Sequence, residues 1–120
     1  MGGKCFVQWI ILIGNEDFNL NHIRNLKHYG QNKTTNLAEN RFVVDYGDNH
    51  VFYESAAVII NDYEENDIKR IPFSNPQFIM MTYTNENLMK QILSQENFPR
   101  GIYIDDDNGN IVPIEDFMVS

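Results

Sequence analysis

Gly101-Ile-Tyr-Ile-Asp-Asp-Asp-Asn-Gly-Asn-Ile-Val-Pro-Ile-Glu-Asp-Phe117 sets three consecutive carboxylates and an Asn-Gly pair between two apolar runs. Such a stretch is either a β-hairpin with an acidic tip or a calcium loop, and the two readings lead to different folds. With Gly109 on the obligatory glycine of an EF-hand loop, Asp106, Asn108 and Glu115 fall on ligand positions. The first ligand position, however, is Ile104, which brings no oxygen. Pro113 falls late in the loop, and the flanks read as strands, so no helices frame it. The hairpin is the better reading.

The hairpin also fixes a register. A two-residue Asn108-Gly109 turn would set Ile104 against Pro113 and Ile102 against Glu115. A three-residue loop, Asp107-Asn108-Gly109, sets Ile104 against Val112 and Ile102 against Ile114, gathering four apolar side chains on one face. Gly109 then supplies the left-handed residue of a G1 bulge. Tyr103, Asp105, Ile111, Pro113 and Glu115 take the opposite face.

Working outward, Cys5 to Ile13 is apolar on both faces apart from Gln8, which predicts a central, doubly covered strand. Asn19 to Tyr29 reads as a helix, capped by Asp17 or Asn19 and stopped at Gly30, with Leu20, Ile23, Leu26 and Tyr29 as its apolar stripe. Residues 31–40 are polar and read as a surface loop. Arg41 to Tyr46 and His50 to Ser55 form a second hairpin across Gly47-Asp48-Asn49. Residues 56–60 continue that strand or start a short helix, and the polar, acidic residues 61–70 form a helical turn or a loop. Phe78 to Tyr83 is a second strand apolar on both faces. Thr84 or Asn85 caps a second main helix that runs to about Gln95. The expected fold is α+β: one domain over residues 1–120, with a single mixed or antiparallel sheet of about six strands, two hairpins and two main helices packed on it.

The net charge is −8, unevenly placed. Residues 1–40 carry four Lys/Arg against three Asp/Glu, whereas residues 41–120 carry five against fourteen. This field opposes nucleic acid and anionic lipid and favours a basic protein partner. Cys5 is the only cysteine, so an intrachain disulfide is excluded and a reducing cytoplasm is the expected compartment. The longest apolar stretch is too short for a membrane span, and no signal-peptide cleavage pattern follows it. The Met1-Gly2-Gly3-Lys4-Cys5-Phe6 start lacks the hydroxyl residue that N-myristoylation expects.

Sequence motifs for chemistry are sparse. His22, His28 and His50 fall in no zinc spacing, and the chain holds no nucleophile elbow and no phosphate-binding glycine loop. No catalytic residue and no cofactor is assigned. Asp45, Asp48, Tyr103, Asp105, Asp106, Asp107 and Glu115 are the candidate partner-binding residues, because carboxylates and rigid tyrosines on one surface suit a basic partner. The alternative is a divalent-metal or enzymatic site on Asp105, Asp106 and Asp107, joined by Asp45, Asp48 or His50 if the two hairpins are neighbours. A further alternative is a homo-oligomer closed through an exposed strand edge.

Phe73-Ser-Asn-Pro-Gln-Phe-Ile-Met-Met-Thr-Tyr83 together with Phe98 to Phe117 resembles the texture of small uncharacterised acidic proteins of low-GC Gram-positive bacteria, some of them toxin antagonists of the immunity type. The resemblance covers the C-terminal third and carries no functional residue. It implies a bacterial, cytosolic, non-enzymatic role.

Overall fold

Ile10, Ile11, Leu12 and Ile13 are all at most 2% exposed, and this doubly buried run places their strand in the middle of the sheet. The protein's structure, a computed structural model, describes residues 7–119, so Cys5 and Phe6 of the expected first strand lie outside the described residues. Strand β1 spans Gln8–Gly14. It is followed by α1 (Leu20–Arg24), β2 (Lys33–Ala38), β3 (Arg41–Asp45) and β4 (His50–Ser55). A 3-10 segment (Ala57–Asp62) and α2 (Glu65–Lys69) come next, then β5 (Gln77–Tyr83), α3 (Glu86–Leu93), β6 (Tyr103–Asp105), β7 (Ile111–Pro113) and α4 (Ile114–Val119). The strands form one open antiparallel sheet in the order β2-β3-β4-β5-β1-β6-β7.

The two faces of β1 feed two cores. Ile10 and Leu12 join the larger one, with Leu20 and Ile23 of α1, Met89, Ile92 and Leu93 of α3, and Ile114 of α4. Ile11 and Ile13 join the smaller one, with Phe78, Ile71 and Ile111. The segment 57–73 arches over this second face, with Ile59, Ile60, Tyr63 and Phe73 packed against it.

Three expectations are corrected. Among the described residues the sheet has seven strands, not about six, because residues 33–38 form β2 where a loop was expected; every residue of β2 is exposed, so the strand has no apolar alternation to betray it. Helix α1 ends at Arg24, well short of Tyr29. Its chain leaves the helix so that His28, 3% exposed, can turn inward: His28 Nδ1 donates to the Leu26 carbonyl at 3.1 Å, and Nε2 accepts from the Tyr53 hydroxyl at 2.9 Å. The tail after Pro113 is helical, because Ile114, Phe117 and Met118, at helical spacing, all reach the larger core. Among the described residues the helices are thus four short ones, not two main ones.

The terminal hairpin has the expected register, with Ile104 opposite Val112 and the Ile114 N–H donating to the Ile102 carbonyl at 3.0 Å. Ile102, Ile104 and Ile114 are buried and Val112 is half-buried. Gly109 has φ +86°. The loop nevertheless departs from a simple G1 bulge, since Asp107 is left-handed as well, at φ 65°. Aspartate tolerates that conformation better than most residues.

A candidate cationic-partner interface at one end of the sheet

Antiparallel pairing brings two acidic turns to the same end of the sheet, with the ends of β5 and β1 between them. The β3–β4 turn lies there, because Asp45 pairs with His50. The C-terminus of β5 lies beside it, since Val51 pairs with Tyr83. The N-terminus of β1 follows, as Gln8 pairs with Tyr83, and the β6–β7 tip completes the row, as Ile11 pairs with Asp105. The two hairpins are not neighbours. Strands β5 and β1 stand between them, so even their nearest strands, β4 and β6, are about 14 Å apart at the usual interstrand spacing. Asp45 and Asp48 therefore do not join Asp105–Asp107 in one small site.

Each carboxylate of the tip has its own task. The Asp105 side chain is 8% exposed. Its Oδ1 accepts from the Asp107 N–H at 2.9 Å and its Oδ2 from the Tyr63 hydroxyl at 2.7 Å. Asp106 Oδ1 accepts from the N–H groups of Asn108 and Asn110, and its Oδ2 from the Asn110 side chain at 3.0 Å. Burial by itself pushes the Asp106 carboxyl up, but these hydrogen bonds outweigh it and hold the group below the usual carboxylate range. Asp107 is exposed. Among the described residues no group of three or more His, Cys, Asp or Glu side chains is arranged to hold a metal ion.

The other expected residues scatter. Asp45 pairs with His50 Nε2 at 3.2 Å and accepts from the Gly47 N–H, while Asp48 is exposed. Tyr103 packs edge-on against Phe73 at 5.9 Å on the second face. Glu115 is exposed in the first turn of α4, at the end of the hairpin away from its tip.

Two clefts flank the β6–β7 tip. One, of about 480 Å³, is lined by Gln8, Tyr83, Glu86, Lys90, Asp106, Asp107 and Phe117, among others. The Tyr83 hydroxyl there is pushed up by burial first, then by Glu86 and Asp106. The other, of about 350 Å³, opens between the arch and the hairpin on the second face. Trp9, Ile59, Tyr63 and Ile111 line it together with Asp62, Asp67, Asp105, Asp107 and Gly109. Burial pushes the Tyr63 hydroxyl far up, and the hydrogen bond and charge of Asp105, with Asp67 and Asp107 behind it, push in the same direction. Arg70 of the arch donates to the Gly109 carbonyl, tying the two walls together.

No protein-family model, curated protein or solved structure matches the chain. No helix among the described residues is long and apolar enough to cross a membrane.

Trp9, Asp62 and Asp67 are the residues that sequence reading missed. The run Asp62-Tyr-Glu-Glu-Asn-Asp67 is visible as a charge cluster. Its place opposite the hairpin is a tertiary fact with no local signal. Tyr63→Phe is expected to destabilise the fold by about 1.5–3 kcal/mol, since it removes a hydrogen bond to a buried carboxylate. The shift of the urea midpoint measures this, and an unchanged midpoint would mean that the arch is not anchored through Asp105.

Proposed function

We propose that this chain is a small non-enzymatic binding domain that docks a basic protein through the acidic end of its sheet. The observation that carries the reading is the state of the carboxylates there. Among the described residues, ion pairs with Lys or Arg engage only Glu65 and Glu86, and Asp45 contacts the His50 ring. Asp48, Asp62, Asp67 and Asp105–Asp107 face no cationic ion-pair partner, which is the arrangement that steers and orients a basic surface. The toxin-antagonist role implied by the C-terminal resemblance is one form of this reading. The cytoplasm is the compartment it assumes, in keeping with a single cysteine. Affinity purification with the full chain as bait should recover a basic partner in stoichiometric amount and release it as salt rises. Recovery that is indifferent to salt would contradict the reading.

A second reading has its own observation. The β7 edge is short and ends at Pro113, whereas β2 offers six exposed residues on the outer edge of the sheet. Pairing of β2 with β2 of a second copy would give a homodimer. Light scattering should then report twice 14.0 kDa at high concentration, and a monomer at every concentration would dismiss it.

A further inference from the structure

The cleft between the arch and the β6–β7 tip combines two features that arise independently. Its floor is apolar and aromatic: Trp9 from β1, Tyr63 and Ile59 from the arch, and Ile111 from β7. Its rim is anionic: Asp62 and Asp67 on one wall, Asp105 and Asp107 on the other. An apolar groove alone accepts many occupants, and an acidic rim alone is only a solvated surface. Together they select a side chain that is flat or aliphatic along its length and cationic at its end.

Asp105 sharpens the choice. It is a carboxylate 8% exposed that has hydrogen bonds but no cation within ion-pair distance among the described residues. Its hydrogen bonds come from neutral donors, so a cation entering the cleft meets negative charge that no ion pair cancels. The one guanidinium nearby, that of Arg70, is committed to the Gly109 carbonyl. A partner's arginine fits the cleft better than a lysine. Its planar, weakly hydrated guanidinium stacks on an indole face and meets a carboxylate with two parallel N–H···O bonds.

We infer that this cleft receives an arginine side chain of the basic partner, stacked on Trp9 and held between the carboxylates of the arch and those of the hairpin tip. The inference rests on the reading of the acidic end as a docking surface and names the point within it where the partner is anchored.

Trp9 is the only tryptophan, so its indole N–H gives a single resonance; Trp9 borders both clefts, but its side chain packs on the second face. Hexa-arginine, hexalysine and hexacitrulline peptides are titrated into the 15N-labelled full chain. Hexa-arginine should shift the Trp9 indole signal saturably, and the shift should weaken as salt rises. Hexacitrulline, which keeps the shape without the charge, should leave it in place. Asp67→Asn with Asp107→Asn should weaken the hexa-arginine effect at Trp9 about tenfold. Hexalysine acting on Trp9 as strongly as hexa-arginine would overturn the guanidinium assignment. Hexa-arginine binding that moves the amides of Asp48 and Asp106 but not the Trp9 indole would overturn the cleft and leave the acidic end standing. No salt-sensitive binding of any peptide would remove both.

Discussion

Gly14→Ala is expected to destabilise the protein by about 3 kcal/mol, at the upper end of what overpacking a core costs. Gly14 ends β1, and a Cβ placed on it would lie 2.6 Å from Cδ2 of Phe18 and nearer still to its Cβ and Cγ. Such a clash is relieved only if something moves. The Phe18 ring is 5% exposed in the larger core, and its N–H is bonded to the Asn15 carbonyl at 3.1 Å, so neither ring nor backbone is free to retreat. Strand β1 cannot shift either, because β5 and β6 hold it on both sides. Urea unfolding of the single variant and of Gly14→Ala in a Phe18→Gly background measures the effect. In that background the alanine should cost little, a strong coupling between the two positions. A full cost with Phe18 absent would show that the close approach is not the cause.

Tyr53→Ala should cost about as much or more, about 3–5 kcal/mol. The ring is fully buried and stacks on Phe42 at a centroid distance of 4.9 Å, and its hydroxyl donates to His28 Nε2. Truncation leaves a cavity and also strips a buried acceptor of its donor. His28 adds a pH dependence. Burial lowers its pKa below the ordinary 6.5, and the hydrogen bond to the Leu26 carbonyl opposes this more weakly. The unfolded chain therefore binds a proton more readily than the native one. The contribution of neutral His28 is fully present above about pH 6.5 and is lost as pH falls from there toward the lowered native value. The urea midpoint should drop between pH 7.5 and 5, with the drop reduced in His28→Gln. An equal drop in both proteins would assign it to other groups.

Local chemistry was legible where it decides structure within a few residues. The Asp107-Asn108-Gly109 loop and the alternation around it identify the register of the terminal hairpin, and the doubly apolar run of β1 identifies the central strand. Asn85, whose side chain accepts from the Leu88 N–H at 2.8 Å, marks the start of α3 as a cap should. Legibility stops where burial is settled by distant parts of the chain. β2 has no buried face, so Lys33–Ala38 carries no periodic signal. The early end of α1 depends on His28 finding Tyr53, twenty-five residues away. The candidate interface shows the same limit: every one of its carboxylates is visible in the sequence, but the packing of the arch on the second face puts the Asp62–Asp67 run across from the hairpin tip, and the strand order keeps Asp45 and Asp48 two strands away.

In the proposed function one end of the sheet, and not net charge in general, holds the partner. Three baits compared in one affinity purification separate the two: the unaltered chain; Asp48→Asn with Asp67→Asn and Asp107→Asn; and Glu39→Gln with Glu54→Gln and Glu96→Gln. Both variants lose three negative charges. The first loses them at the acidic end. The second loses Glu39 and Glu54 beside the β2–β3 turn, where Arg41 pairs with Glu54, and Glu96 beyond the C-terminus of α3. The first variant should lose a salt-sensitive basic partner by about tenfold or more while the second retains it within about twofold, ten being the factor that about 1.4 kcal/mol of binding supplies. Equal loss from both variants, or equal retention by both, would contradict the proposed function.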